Sequence, residues 1–375
     1  MRKAMLSIHL FLSLILGLFI VITCTTGSLL LVEKDVESWL HPVRITSGTG
    51  EAPLPVLLQH ANEAVPGMKA DRVEYPADDK LYHIHLSKDG AGGKDGRTVY
   101  GDPATGEVFG QVHEERREPF ATIYNLHRYF LLTNVIGRTS AASVVGILGM
   151  ALTIILLTGL YLWWPGLRKW ALGFRVIRNR GKFMFNMSLH KASGIISIPL
   201  LLILALTGTV NAFEKMIPGW VGFAAREEIP AAAMKSAASS EQMLPPDKII
   251  EIVKSTYPDS ELMRISLPAK AGQSYQVGLK DGISATSGAN STVYLDAASG
   301  EILYKTDPSL TINLYNAWRK GLHFGTYGGV ITEIIYFVFG MMPLVLMITG
   351  LVIWRLKGNA KRRTRRKQAA APAAA

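Results

Sequence analysis

Two stretches of the chain set a histidine at the start of an apolar run and a Thr-Gly pair near its end: "SIHLFLSLILGLFIVITCTTGSLLLVEK" (7–34) and "SLHKASGIISIPLLLILALTGTVNAFEK" (188–215). His9 and His190, Thr26-Gly27 and Thr207-Gly208, and Glu33-Lys34 and Glu214-Lys215 fall in one register without a gap, which reads as an internal repeat. Two further histidines stand ahead of later apolar runs, His127 in "NLHRYFLLTNVIGR" (125–138) and His323 in "GLHFGTYGGVI" (321–331). An imidazole at a membrane boundary is costly without a partner, and neutral imidazole is a preferred axial ligand of haem iron. Two facing imidazoles would make a six-coordinate b-type site, suited to passing electrons rather than binding oxygen. Any one of them alone reads as an interfacial histidine bonded to water or headgroups; as repeat-related pairs, His9 with His190 and His127 with His323 are the candidate axial ligands of two haems, one at each membrane face.

The elements that must position them are membrane helices. With 49% hydrophobic residues, 18% charged residues and a mean hydropathy of +0.21, the 375-residue chain is too apolar for an ordinary soluble enzyme and too charged to be all membrane. Four segments, near 6–31, 141–164, 194–213 and 330–354, reach the ~20 apolar residues that a helix needs to cross a bilayer. The first is longer than a signal-peptide core and no A-x-A-like cleavage site follows it, so it is expected to stay as an anchor. The single cysteine, Cys24, excludes a disulfide framework and a cysteine-based metal site.

Charge sets the expected orientation. Arg2 and Lys3, six Lys and Arg between 168 and 182, and eight between 355 and 367 make sixteen cations with no acid among them. By the positive-inside rule these three segments are cytoplasmic, which places both termini inside, the polar stretches outside, and histidines 9 and 190 at the inner face. These cations exceed the chain's net charge of +11, so the remainder is acidic and the basic tail reports topology rather than nucleic-acid binding. "QAAAPAAA" at the end reads as a disordered tail.

The outer stretches also repeat. "VYGDPATGEV" (99–108) and "VYLDAASGEI" (293–302) each read as strand, tight turn, strand, and each follows a short amphipathic helix and alternating strands such as "KLYHIHLS" and "SYQVGLK". The expected fold class is an α-helical membrane protein whose four transmembrane helices form a two-fold internal repeat, with two small α+β outer domains. Its parts are helix one (1–32), outer domain one (33–122), an interfacial segment with helix two (123–164), a basic loop (165–185), helix three (186–214), outer domain two (215–313), an interfacial segment with helix four (314–354) and a basic tail (355–375).

The H…TG…E outward helix, the D-P-A-T-G-E turn and the L-H…T-G-L-Y-L-W-W-P inward helix resemble the PepSY-associated transmembrane family over nearly the whole chain. Within that family the chain resembles the ferrisiderophore reductases of the FoxB type, inner-membrane haem proteins of iron uptake. The resemblance implies PepSY-like periplasmic domains, haem b, here two per chain, and a ferric siderophore as substrate. Some relatives carry a fused flavin or NAD(P)H reductase domain; this chain has none, which leaves a cytoplasmic donor or a quinol as the electron source. The expected function is an inner-membrane ferric-siderophore reductase that reduces Fe(III) to Fe(II) in the periplasm. The alternative is a non-redox membrane protein that binds an iron complex for a permease or modulates a protease.

Further residues fit around the expected haems. Gly27 follows His9, and Gly208 follows His190, by 18 residues, five helical turns and roughly 27 Å along the axis, so each glycine shares a face with its histidine and lies at the depth of the outer haem. There, and at Gly159 and Gly350 near the inner haem, a missing side chain would let a flat macrocycle approach the backbone, or would simply let helices pack closely. Arg128, Arg319 and Lys320 are candidate propionate partners, or else exposed rim cations. Arg138 and Glu333, at similar depth in the repeat, are expected to pair and lock helices two and four together, with a proton or haem-propionate role for Glu333 as the alternative. His83 and His85 share a strand face that would suit a metal, although no third ligand is placed.

Overall fold

The computed structural model describes residues 1–40, 52–76, 80–88, 96–113, 118–164, 166–214, 216–217, 226–236, 242–282, 284–286 and 288–369. Four helices are long and apolar enough to cross a membrane: α1 (Arg2–Leu31), α6 (Arg138–Trp163), α7 (Gly181–Ala212) and the fourth span, Thr326–Thr364, built from α10 (Gly329–Gly340) and α11 (Met342–Ala369). The shorter helices are α2 (Glu33–Leu40), α3 (Leu54–Ala64), α4 (Phe120–Tyr129), α5 (Thr133–Ile136), α8 (Pro246–Thr256) and α9 (Thr311–Phe324).

The long helices form a ring in which α6 and α11 each pack against both α1 and α7. Helices α1 and α7 are therefore diagonal partners, and so are α6 and α11. Ile20, Leu148, Leu152, Leu156, Leu201 and Ala205 make an aliphatic core between them. Phe11, Leu18, Ile154, Ile196 and Ile335 point outward and exposed, as lipid-facing residues must, because a bilayer gives no reason to hide them.

Before α6 and before α10 the chain makes a sharp turn that lets a short helix lie across the bundle end. Gly137 (φ +78°) separates α4 and α5 from α6, and Gly325 (φ +71°) with Gly329 (φ +63°) separates α9 from α10. Such angles are open to glycine and costly for other residues. At the opposite, basic end, α7 begins at Gly181, ahead of the expected span, and α11 runs on through the basic run to Ala369. Of the expected disordered tail, residues 370–375 lie outside the described ones.

The two polar stretches meet in one structure. Strands β1 (Lys69–Glu74), β2 (Tyr82–Ser87), β3 (Arg97–Gly101), β4 (Val108–His113), β5 (Glu261–Ser266), β6 (Tyr275–Lys280), β7 (Ser291–Leu295) and β8 (Ile302–Lys305) form a single antiparallel sheet in the order β4-β3-β2-β1-β5-β6-β7-β8. The seam pairs Arg72 with Ser266, Val73 with Ile265 and Glu74 with Arg264. The two expected outer units thus join edge to edge at this seam. Each alone would expose the edge of β1 or β5, a row of unpaired backbone groups, and pairing the two edges removes both. One core crosses the seam: Leu57, Val73, Ile84 and Val99 join Ile249, Ile265, Val277 and Val293 beneath α3 and α8. Asp247 of α8 also accepts a hydrogen bond from the Leu54 backbone N–H at the start of α3, at 3.1 Å.

Candidate functional site

The four terminal histidines meet in two pairs. His9 on α1 and His190 on α7 reach across the diagonal of the bundle at its basic end, with ring centroids 6.4 Å apart and planes at 89°. His127 on α4 and His323 on α9 meet at the sheet end, with centroids 6.3 Å apart and planes at 35°. In sequence the members of a pair lie nearly two hundred residues apart.

Each imidazole is fixed through Nδ1. His9 Nδ1 lies 3.0 Å from the Ile155 carbonyl and 3.1 Å from the Thr158 hydroxyl, both on α6. His190 Nδ1 lies 3.1 Å from the Leu346 carbonyl and 2.9 Å from the Thr349 hydroxyl, both on α11. His127 Nδ1 is 2.8 Å from the Thr23 carbonyl of α1. A carbonyl oxygen only accepts, so in these three rings Nδ1 carries the proton and Nε2 keeps its lone pair. At His323 the partner is the Thr207 hydroxyl at 3.0 Å, and that hydroxyl donates to the Ile203 carbonyl at 2.6 Å, so it accepts from the ring. All four rings thus present the nitrogen that binds metals, oriented by a hydrogen bond at the other.

The glycines make room for these rings. A Cβ built on Gly27 would lie 2.7 Å from His127 Cε1, on Gly208 3.1 Å from His323 Cε1, on Gly159 3.3 Å from His9 Cε1, and on Gly350 3.5 Å from His190 Cε1. The neighbour of each missing side chain is an imidazole edge, so each glycine leaves room for a histidine ring. Each half of the chain is reciprocal: α1 gives His9 to a Thr-Gly site on α6, and the segment before α6 gives His127 to α1. Helices α7, α9 and α11 repeat the exchange with His190 and His323. The threonines at 158, 207 and 349 were not singled out as acceptors by sequence reasoning. Their signal is that a threonine precedes every one of the four glycines.

The charged residues divide differently from expectation. Arg319 is buried, bonded to Asn211, to Glu214 Oε1 at 3.1 Å and to Asn316 Oδ1 at 3.2 Å, so it ties α9 to the end of α7. The Arg128 guanidinium lies 5.9 Å from the Tyr129 ring centre. Arg138 and Glu333 do not form the expected ion pair. Arg138 stands over Tyr129 at 5.5 Å, and no salt bridge joins it to Glu333 among the described residues. The reason is the ring order: Arg138 is on α6 and Glu333 on the span diagonal to it, with α1 and α7 between. His83 and His85 do share a face, but His83 packs edge-on against Tyr100 at 4.9 Å, and His85 sits between Thr98 Oγ1 at 3.0 Å and Glu74 Oε1 at 3.6 Å. Among the described residues no group of three or more His, Cys, Asp and Glu could hold a metal ion.

No curated protein matches the chain. The family model described as the PepSY-associated TM region matches residues 6–357, taking in both histidine pairs, all four Thr-Gly sites and the whole sheet. A membrane protein built on four apolar helices, this chain belongs to the PepSY-associated transmembrane family.

Proposed function

We propose that the protein is a haem-containing ferric-siderophore reductase of the bacterial inner membrane, carrying electrons from its basic, cytoplasmic end to Fe(III) bound at its sheet end. The observation that carries this reading is the spacing of the pairs. An imidazole nitrogen binds a first-row metal at about 2.0 Å, so two imidazoles on opposite sides of one metal have ring centres roughly 6.3 Å apart. The two pairs stand at 6.4 and 6.3 Å. Two imidazoles are too few for a bare transition-metal ion but complete the coordination of iron already held by a porphyrin. The residues present therefore fit two b-type haems, which His9 with His190 and His127 with His323 would hold.

When bound, haem with two imidazole ligands supplies one-electron transfer. The chain's own residues do the rest. Thr158, Thr349, Thr207 and the Thr23 carbonyl hold each ring in one tautomer and one orientation. The aliphatic layer from Ile20 to Leu201 keeps water out of the space between the two ends. The two halves of the chain, each giving one histidine to each end, support an origin by duplication. The sixteen cations at the basic end support an orientation with both termini in the cytoplasm and the sheet in the periplasm. Ferrous iron is held less tightly by hard oxygen ligands than ferric, so reduction at the sheet end favours release.

The test uses two variants in membranes. His323→Ala should lose one of two haems and abolish ferric-siderophore reduction, while the remaining haem is still reduced from the donor side. His190→Ala should keep a sheet-end haem that a small soluble reductant can reduce and that still passes electrons to the ferric complex, yet block turnover driven from the cytoplasmic side. A colourless wild-type protein after expression with ample haem would overturn the reading.

A further inference from the structure

The start of α1 and the end of α6 meet at the basic end, and the residues they bring together there take no part in either histidine pair. Leu157, Leu160, Tyr161 and Trp164 recur at helical spacing, so they share one face of the end of α6. The opposite face carries Ile155, Thr158 and Gly159, against which the His9 ring sits. Leu157, Tyr161 and Trp164 are 46–52% exposed, as is Ile154 a turn earlier, so this face looks into the bilayer rather than into the bundle. Together with Arg2 of α1, Leu157, Leu160, Tyr161 and Trp164 line a cavity of about 530 Å³.

The polar groups of that lining suit an anion. The last carbonyls of a helix lack an intrahelical partner, and Arg2 takes one of them, donating from Nη2 to the Leu162 carbonyl at 3.2 Å. That bond holds the guanidinium at the end of α6 and leaves its other N–H groups without an acceptor among the described residues. The Tyr161 hydroxyl and the Trp164 indole can donate beside it, and no carboxylate stands among the lining residues. The neighbouring Trp163 does the reverse of Trp164: it turns inward, and its Nε1 donates to the Gly173 carbonyl at 3.2 Å. Beyond it the 3₁₀ helix Leu167–Phe174 sets exposed Trp170 and Leu172 beside exposed Arg168 and Lys169, the mixture of a segment that lies among headgroups.

The internal repeat breaks at this place. Counted from the matched His9 and His190, Arg2 corresponds to Phe183. Counted from the matched Gly159 and Gly350, Leu157 and Leu160 correspond to Ile348 and Leu351, whereas Tyr161 and Trp164 correspond to Val352 and Arg355. The second half keeps the aliphatic wall and replaces Arg2, Tyr161 and Trp164, so the packing of the bundle does not by itself require those three.

We infer that this cavity holds one anionic phospholipid, with its phosphate at Arg2, Tyr161 and Trp164 and an acyl chain along Leu157 and Leu160. A guanidinium matches phosphate through paired hydrogen bonds. The cavity is continuous with the lipid-facing side of α6, and the sixteen cations of the basic end draw anionic lipid to this leaflet. By bridging Arg2 of α1 to the end of α6, the lipid ties together the two helices between which the His9 ring lies. The inference is independent of the haem reading.

Lipid binding to the purified full-length protein in detergent can be read by native mass spectrometry as phosphatidylglycerol or phosphatidylcholine is titrated in. The first phosphatidylglycerol should bind about fivefold more tightly than the first phosphatidylcholine, the effect of one cation on an anionic headgroup. Arg2→Gln should lose that preference, Arg2→Lys should keep part of it, and Trp164→Phe, which keeps an aromatic ring and drops the N–H, should weaken it. Arg362→Gln, which removes an exposed cation of α11 outside the cavity's lining, should leave it intact. Glycerol phosphate, which has the anion without the chains, should not compete. No preference in wild type, an unchanged preference in Arg2→Gln, or an equal loss in Arg362→Gln would overturn the inference. Competition by glycerol phosphate would overturn it as well, by assigning the site to a soluble anion.

Discussion

The basic-end and sheet-end histidine pairs are built from the same parts and held to different degrees. At the basic end His9 and His190 sit within long spanning helices, each Nδ1 has both a carbonyl and a threonine hydroxyl in reach, and the ring planes are perpendicular. At the sheet end His127 and His323 ride on short helices set off by Gly137 and Gly325, each Nδ1 has one acceptor, and the planes are at 35°. The basic-end pair is fixed by the bundle itself. The sheet-end pair hangs on segments that also touch the outer structure, as Thr326 Oγ1 does in donating to the Ala285 carbonyl of the β6–β7 loop at 3.1 Å. On the proposed reading, that difference suits an interior relay at one end and a site that must respond to a substrate at the other.

Substituting the glycines should separate the ends most strongly. Gly27→Ala puts a methyl group 2.7 Å from the His127 ring, inside any tolerable contact, whereas Gly350→Ala leaves 3.5 Å to His190. Haem counted after purification should fall from two toward one per chain in Gly27→Ala and stay at two in Gly350→Ala. Equal retention would mean that the sheet-end ring has slack. The threonines should give a smaller effect. Valine copies threonine's shape without the hydroxyl, and loss of a partner that orients a ligating histidine costs about 10–100-fold in metal affinity. Thr207→Val removes the one acceptor of His323, whereas Thr349→Val leaves His190 the Leu346 carbonyl. Haem dissociation rates should therefore rise more in Thr207→Val, and the reverse order would contradict the ranking of the two ends.

Much of this was legible in sequence because membrane helices leave little freedom. Eighteen residues between His9 and Gly27 fix a shared face and opposite depths, and the repeat predicts which histidines meet. Two features were hidden. The role of the glycines depends on which side chain fills the gap, and spacing gives depth but not the occupant. The seam between β1 and β5 joins strands whose sequences carry the same alternation whether their edges are free or paired, so nothing local distinguished two domains from one sheet. The Arg138–Glu333 expectation failed for a related reason. Equal depth along two helices says nothing about whether those helices are neighbours or diagonal. The smallest predicted effect follows from that: Arg138→Gln and Glu333→Gln should act additively on thermal stability in detergent, within about 0.5 kcal/mol, and a larger coupling would place the two in contact.

The most direct test of two separate bis-imidazole sites is low-temperature electron paramagnetic resonance of the oxidised purified protein, with haem quantified on the same sample. Perpendicular imidazole planes at the basic end and planes at 35° at the sheet end should give two distinct low-spin ferric signals, the first more axial and the second rhombic, in equal amounts and summing to two haems per chain. His190→Ala should remove the axial low-spin signal alone, and His323→Ala the rhombic one alone. A single low-spin signal at one haem per chain, lost in both variants, would contradict the account.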